Sequence, residues 1–202
     1  MLLSPRFRLA LTLACDLHAQ QERKGSGVPY VAHVLGVASL VLDYGGDEDT
    51  AIAALLHDVI EDCGGDRARQ QIRDSLGVET LERESTERIL AIVEGCSDTD
   101  GTFKKPWRER KQAYIDHLAT ASPEMRLVSS ADKLHNVRSL LQDYRTVGEA
   151  LWSRFSGGRE GTLWYYRAMV SALSAVESTP IAAELDRAVT ELERQTAGYT
   201  SI

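Results

Sequence analysis

The chain has 202 residues, of which 43% are hydrophobic and 26% are charged, proportions that are typical of a folded globular protein and exclude disorder. This length favours a single domain. The net charge of −7 argues against a nucleic-acid-binding protein, because phosphate backbones demand an overall positive field. The sequence holds no run of about 18 apolar residues, so we expect no membrane span and no membrane partner.

Three widely spaced cysteines, Cys15, Cys63 and Cys96, form no CxxC pair. Neither a disulfide framework nor a cysteine-rich zinc site is therefore predicted. The apolar stretch at residues 1–4 is too short for a signal peptide, and Arg6 soon follows it. We expect a cytoplasmic protein.

The spacing of apolar residues is helical along nearly the whole chain and predicts an all-α fold, a helical bundle in a single domain. Gly25, Gly27 and Pro29 mark residues 23–30 as a loop, and residues 94–103 read as another. Thr179 is the expected N-cap of the last helix. Helices are predicted over residues 7–21, 31–43, 51–60, 67–76, 79–93, 107–118, 123–144, 163–176 and 180–195.

Four ionisable side chains lie at the end of the most apolar of these helices: His57, Asp58, Glu61 and Asp62. Charged groups are almost never fully buried unless they are paired or bind a metal. In a continuous helix His57 and Glu61 share a face, as do Asp58 and Asp62. We therefore expect one helical turn to present an imidazole and three carboxylates to one region.

A set of imidazole and carboxylate groups suits a divalent cation such as Mn²⁺, Fe²⁺, Co²⁺ or Zn²⁺, and additional carboxylates favour Mn²⁺ or Mg²⁺. Two further ligands are needed from elsewhere in the chain. His33 and Asp132 are the candidates, because each belongs to a separate apolar helix. The alternative is a buried histidine that is satisfied by its neighbouring aspartate without a metal.

The residues His33, His57, Asp58 and Asp132 match the H…HD…D signature of the HD-domain phosphohydrolases. Three longer segments resemble the hydrolase domain of the RelA/SpoT family, whose stand-alone members are the small alarmone hydrolases. The segments are RKGSGVPYVAH from residue 23, AALLHDVIEDC from residue 53 and SSADKLHNVRSL from residue 129. The similarity runs from about residue 3 to about residue 175.

The resemblance implies an HD-domain bundle over residues 1–178, with residues 179–202 forming a C-terminal helix packed on the same domain. It implies Mn²⁺-dependent hydrolysis of the 3′-pyrophosphate of guanosine or adenosine 3′,5′-polyphosphate alarmones, with other divalent cations left open. The implied metal ligands are His33, His57, Asp58 and Asp132. The implied catalytic residues are Glu61, Asp62 and Asn136.

The loop before the second helix is expected to contact the nucleotide through Arg23, Lys24 and Ser26, and Ser139 matches a further contact position. Family members often have Arg-Lys-Ser-Gly in this loop, whereas this chain has Gly25 inserted. The sequence therefore leaves open which of the two basic residues stacks on the base. It also leaves open whether guanine or adenine is preferred, because arginine and lysine are not equivalent for stacking.

A basic stretch runs from Lys104 to Lys111, and Lys105 and Arg110 within it are expected to contact the phosphates. Such local cations are needed because the chain as a whole is acidic and the substrate is an anion. The alternative is a solvated helix face.

Two other functions remain open at this point. A different HD-domain enzyme would hydrolyse a dNTP, a nucleoside monophosphate or a cyclic nucleotide, and a sensor would bind an alarmone without cleaving it. All three functions have a small-molecule nucleotide as the partner and no nucleic acid. The sequence does not decide whether the chain forms a homo-oligomer.

Overall fold

The computed structural model describes residues 2–77, 80–98 and 105–197. Within these ranges the chain is helical, and its one β feature is an isolated bridge between Glu22 and Pro29, which confirms the all-α prediction. None of the helices there combines the length and the apolarity that crossing a bilayer requires. The helices are α1 (Pro5–Leu17), α2 (Val31–Asp43), α3 (Glu48–Leu56), α4 (Val59–Cys63), α5 (Gly65–Leu76), α6 (Thr80–Cys96), α7 (Trp107–His117), α8 (Pro123–Val147), a 3-10 helix (Gly148–Arg154), α9 (Gly158–Val176) and α10 (Pro180–Ala197).

Helix α8 lies at the centre of the fold, where it contacts α2, α3, α6, α9 and α10. Its start is set by Pro123 in the first turn and by the hydroxyl of Ser122, which accepts a backbone N–H at 3.1 Å. Ala131 and Leu134 are fully buried on this helix. Asp132 stands between them, so the helix carries a carboxylate into the core.

Helix α3 is buried from Thr50 to Leu56, where it ends. His57 and Asp58 form a turn, and the short helix α4 begins at Val59. The prediction of one continuous helix over residues 51–60 is therefore wrong. The backbone of Asp58, at φ −101° and ψ −4°, stays in the right-handed α region but is displaced from the mean α-helical angles.

The loop before α2 folds back on itself as a narrow hairpin. The backbone N–H of Arg23 donates to the carbonyl of Val28 at 2.8 Å. Gly25 and Gly27 have φ values of 71° and 68°, in the left-handed region that glycine enters without steric cost. The two glycines therefore let the backbone form this tight turn without steric strain, within the loop that the sequence predicted at residues 23–30.

Other helix boundaries differ from the predicted ones by a few residues. Helix α1 ends at Leu17 rather than at residue 21, and α9 starts at Gly158 rather than at residue 163. Helix α6 continues to Cys96, into the predicted loop of residues 94–103, of which 99–103 lie outside the described residues. Helix α10 is capped as predicted, since the Thr179 hydroxyl accepts a backbone N–H at 3.3 Å, and it packs on α8 and α9.

Candidate functional site

Two histidines and two aspartates converge from three separate elements in the core. His33 lies on α2, His57 and Asp58 form the turn between α3 and α4, and Asp132 lies on α8. His57 Nε2 is 3.0 Å from Asp58 Oδ2, and His33 Nε2 is 3.2 Å from Asp132 Oδ1. The two cross distances, His33 to Asp58 and His57 to Asp132, are 3.6 and 3.7 Å. All four side chains therefore face one point.

The orientation of the His57 ring leaves one nitrogen for a ligand. Its Nδ1 donates to the carbonyl oxygen of Ala54 at 2.8 Å, which places the lone pair of a neutral ring on Nε2. This Nε2 is buried and, among the described residues, has no well-aligned hydrogen-bond partner in spite of the carboxylates beside it. A backbone carbonyl on the outer nitrogen is one of the usual arrangements for a histidine that binds a metal.

The charges in this cluster favour a cation. Burial opposes the charged form of His57, yet the Asp58 and Asp132 carboxylates raise its pKa well above the usual range. Burial likewise opposes ionisation of Asp58, but His57 and His33 hold the pKa of that carboxyl well below its usual range. Two imidazole nitrogens and two ionised carboxylates are a donor set that fits a divalent cation, and His33, His57 and Asp58 have ligand atoms within 4.8 Å of one another.

Neighbouring side chains hold both carboxylates in place. The Tyr30 hydroxyl donates to Asp58 Oδ2, and the Lys133 ammonium donates to Asp132 Oδ2. Asn136, one turn further along α8, donates its amide to Asp132 Oδ1 at 2.5 Å. Burial and the Asp58 carboxylate raise the pKa of Tyr30, so the phenol stays a hydrogen-bond donor. Each carboxylate is therefore oriented before any ligand arrives.

The two acidic residues of α4 lie in different surroundings. Glu61 is half-buried and lines a cavity beside the cluster, and burial together with the Asp98 and Asp58 carboxylates raises its pKa. Asp62 is exposed and accepts a hydrogen bond from Gln21 Nε2 at 2.7 Å. A carboxyl whose pKa is raised exchanges protons closer to neutral pH than an ordinary glutamate does.

The cavity beside Glu61 has a volume of about 210 Å³ and carries Lys24, Lys111 and Lys133 on its walls. Lys111 Nζ is 2.7 Å from Asp98 Oδ2, and the ammonium also lies over the ring of Tyr165 at 4.9 Å. The Asp98 side chain is only 3% exposed. The buried Asp98 carboxylate thus holds the Lys111 ammonium group in place at the cavity wall.

A second cavity of about 210 Å³ adjoins the first, because Lys24, Tyr30 and Asn136 line both. Its remaining walls include Ser139 of α8 and the ring of Phe155, which follows the 3-10 helix. An aromatic ring with polar groups on either side suits a nucleoside better than a bare phosphate.

The hairpin is anchored to the rest of the protein at two points. Arg23 is half-buried, and its Nη2 donates to Asn136 Oδ1 at 3.0 Å. Gly25 lies against Arg154, so that a Cβ atom at Gly25 would come within 2.6 Å of Arg154 Nε. Arg154 in turn pairs with Asp143 of α8 at 3.0 Å. The inserted glycine therefore permits a close approach of the hairpin to the 3-10 helix.

Most of the predicted site residues line these two cavities. Lys105 is exposed, however, and its carbonyl accepts a hydrogen bond from Arg110 Nε at 3.2 Å. The Arg110 guanidinium pairs with Asp98 at 2.5 Å, and the basic residue that lines the cavity is its neighbour Lys111. Lys104 lies outside the described residues. The predicted residues on the cavity walls are Arg23, Lys24, Ser26, Asp58, Glu61, Asp132, Asn136 and Ser139.

Sequence reasoning gave no role to Tyr30 or Asp98. Tyr30 stands three residues before His33 at the start of α2, so its hydroxyl and the imidazole share one helical turn, a signal that was present in the segment PYVAH. Asp98 is one of three acidic residues in the predicted loop of residues 94–103, which precedes the basic stretch. Only the structure shows that Arg110 and Lys111 of the basic stretch contact Asp98.

A family model described as an HD domain matches residues 10–163, the part of the chain that holds every residue of this cluster. The chain belongs to the HD-domain family. The fold of this HD domain is also that of a solved structure described as a metazoan ortholog of SpoT that hydrolyzes ppGpp. The two chains align with a TM-score of 0.73 and 25% identity, over 95% of this chain and 98% of the other.

Curated relatives share about a third of the aligned residues. The guanosine-3′,5′-bis(diphosphate) 3′-pyrophosphohydrolase MESH1 of Xenopus tropicalis is 37% identical over 65% of this chain and 67% of its own length. The human protein of that name is 34% identical over the same shares. A probable guanosine-3′,5′-bis(diphosphate) 3′-pyrophosphohydrolase of Synechocystis is 35% identical over 65% of this chain, which spans only 16% of that longer protein.

Proposed function

We propose that this HD-domain protein hydrolyses the 3′-pyrophosphate of guanosine 3′,5′-bis(diphosphate) or its adenosine counterpart. A water oxygen forms a bond to the phosphorus atom that is attached to the ribose 3′ oxygen. The bond between this phosphorus and the 3′ oxygen breaks, and the 3′ oxygen leaves with a proton. The products are pyrophosphate and the nucleoside 5′-diphosphate. The names of the relatives support the guanosine substrate.

The observation that carries the proposal is the junction of two unlike cavities at the four-residue cluster. One cavity has Lys24, Lys111 and Lys133 on its walls beside four carboxylates, and these ammonium groups can contact the oxygens of a pyrophosphate group. The adjoining cavity carries Phe155 and polar side chains, as a nucleoside requires. A substrate that spans both would place its 3′ phosphate beside the cluster.

We assign the cation-binding role to His33, His57, Asp58 and Asp132, and we propose Mn²⁺ as the cation because half of the donor set is carboxylate. A divalent cation bound there supplies Lewis acidity and lowers the pKa of water. Tyr30, Lys133 and Asn136 hold the carboxylates by the hydrogen bonds described above. The protein thereby keeps the donor oxygens in place as charge develops on the phosphate.

Proton transfer is assigned to the acidic residues of α4. Glu61 faces the cavity with a raised pKa, so it takes a proton from the attacking water. Asp62 lies next to it and is held by Gln21, which supports a role in positioning or in relaying that proton. Lys111 and Lys133 on the cavity wall offset the negative charge of the pyrophosphoryl group that water attacks.

Incubation of the purified, Mn²⁺-loaded protein with ppGpp, ppApp and dGTP in parallel tests the proposal. We expect pyrophosphate in equal amount to GDP from ppGpp, or to ADP from ppApp, and none of this product after chelation of the metal. The Asp132→Asn variant is the negative control. Turnover of dGTP alone would instead identify another nucleotide phosphohydrolase, and tight ppGpp binding without turnover would identify a sensor.

A further inference from the structure

His33 and His57 are held differently at their outer nitrogens. His57 uses a backbone carbonyl, as described, whereas His33 Nδ1 lies 3.0 Å from Nδ1 of another histidine, His135 of α8. The two rings are 4.9 Å apart between centroids and inclined at 59°. His135 stands three residues after Asp132, outside the four-residue cluster.

An imidazole nitrogen can either donate or accept a hydrogen bond at this contact, whereas a carbonyl oxygen can only accept one. For His33 to offer the Nε2 lone pair to a cation, its proton must sit on Nδ1 and be donated outward. His135 must then accept through its own Nδ1 and carry its proton on Nε2. The reverse arrangement would put the proton on His33 Nε2, where it points at Asp132 Oδ1, 3.2 Å away, and blocks the ligand position.

Packing against α2 keeps the His135 ring at this contact. A Cβ atom added at Gly36 would overlap Cδ2 and Nε2 of the His135 ring. Gly36 lies one turn after His33 on α2, so the missing side chain leaves the space that the ring of His135 occupies. The ring is thus confined between one cation ligand and a glycine.

We infer that His135 is a positioning residue that fixes the tautomer of His33 by accepting its Nδ1 proton, with Gly36 making room for the accepting ring. The inference rests on the proposed cation site but not on the identity of the nucleotide. Partners of this outer kind typically contribute about 10- to 100-fold to metal affinity.

Titration of metal-free protein with Mn²⁺, followed by the electron paramagnetic resonance signal of the free ion, tests the inference without substrate. His135→Asn keeps an acceptor, because its Oδ1 is as many bonds from the backbone as the histidine Nδ1, whereas His135→Phe keeps a ring without an acceptor. We expect H135N to stay within about threefold of the wild-type Kd and H135F to weaken binding roughly 10- to 100-fold. Exposed His117 supplies the matched control, H117F, which should bind as wild type.

Equal binding by H135F and wild type would overturn the inference, as would equal losses in H135N and H135F. Absence of binding by the wild type would overturn the cation site itself and with it the proposed function. Nitrogen-15 NMR of histidine-labelled wild-type protein loaded with diamagnetic Zn²⁺ gives an answer that no folding defect can affect. We expect a protonated Nδ1 on His33, and an unprotonated Nδ1 there would contradict the inference.

Gly36→Ala displaces the ring and leaves its acceptor intact. We expect G36A to weaken Mn²⁺ binding as H135F does, and the G36A/H135A pair to bind no more weakly than H135A alone. If the G36A variant bound Mn²⁺ as wild type does, the position of the His135 ring would not depend on Gly36, and that part of the inference would be overturned.

Discussion

Arg23 Nη2 donates a hydrogen bond to Asn136 Oδ1 at 3.0 Å, and the amide of the same Asn136 donates to Asp132 Oδ1 at 2.5 Å. One side-chain amide thus joins the hairpin before α2 to a proposed cation ligand. The carbonyl oxygen and the NH2 group of the Asn136 amide are both used, which fixes the orientation of the side chain. A change at Arg23 is therefore transmitted to Asp132 through the Asn136 side chain.

Arg23→Gln and Lys24→Gln separate the roles of the two basic residues of the hairpin. Charge-assisted contacts are worth about 1.5–3 kcal/mol, so each loss of charge should raise KM for ppGpp roughly 10- to 100-fold. We expect kcat to fall in R23Q as well, because Arg23 also orients Asn136, and to stay nearly constant in K24Q. Steady-state kinetics at saturating Mn²⁺ measure both. Wild-type KM in both variants would show that the hairpin does not hold the nucleotide.

Gly25→Ala and Gly27→Ala form a matched pair in the same hairpin. Both glycines have positive φ, so either alanine costs about 1–2 kcal/mol in backbone strain. Only at Gly25 would the new Cβ meet Arg154, whereas Gly27 has open space. We expect similar falls in Tm but a rise in KM for G25A alone. In an Arg154→Ala background G25A should raise KM no further, and a persistent rise there would disprove the steric explanation.

Much of this architecture could be read from the chain because its patterns are local. Helix α2 was predicted at residues 31–43 and is found there, since Gly45 and Gly46 end a clear apolar repeat. The HD-domain family was also predicted and is confirmed by the family model over residues 10–163. The candidate ligands stood out because each is a polar residue in apolar surroundings.

The break between α3 and α4 was not predictable in the same way. No glycine or proline lies at residues 57 and 58 to signal a helix end, and the break coincides with the contacts that Asp58 makes with His33 and His57 makes with Asp132. Asp98 was missed for a related reason: its partner Lys111 lies 13 residues away, beyond any helical period. The helix break and the Asp98–Lys111 ion pair both involve contacts between distant segments, which the spacing of neighbouring residues does not reveal.

His57→Ala should weaken cation binding strongly. A ligand contributes more than an outer partner, whose loss already costs about 10- to 100-fold in affinity, so we expect a Kd for Mn²⁺ raised by more than about 100-fold. Mass-spectrometric metal analysis after dialysis against Mn²⁺ gives the content directly. The control is His117→Ala, at an exposed position of α7. An unchanged metal content in H57A would reject the cluster as the cation site.

Asp98→Asn should destabilise the protein in a pH-dependent way. Burial opposes ionisation of Asp98, but Lys111 and Arg110 lower its pKa below the usual value. The stabilisation is thus complete above the unfolded carboxyl pKa of about 3.9 and is lost as the pH falls through the lower folded pKa. We expect D98N to cost about 1.5–3 kcal/mol of unfolding free energy at pH 7, and the difference from wild type to shrink below about pH 4. Urea unfolding at several pH values measures it, and a gap independent of pH would contradict the ion-pair explanation.

Glu61→Gln and Asp62→Asn separate chemistry from cation binding, because neither residue is needed as a ligand. General acid–base catalysis is typically worth about 10²- to 10⁴-fold in rate, so E61Q should lose at least about 100-fold in kcat while its Kd for Mn²⁺ and its Tm stay near wild type. Asp62 is exposed and bound to Gln21, so we expect a smaller loss of kcat in D62N. The Gln21→Leu variant, which removes the side chain that holds Asp62, should reproduce that smaller loss. If Glu61 only stabilised the end of α4, E61Q would lower Tm and leave turnover intact, and that result would remove Glu61 from the proposed mechanism.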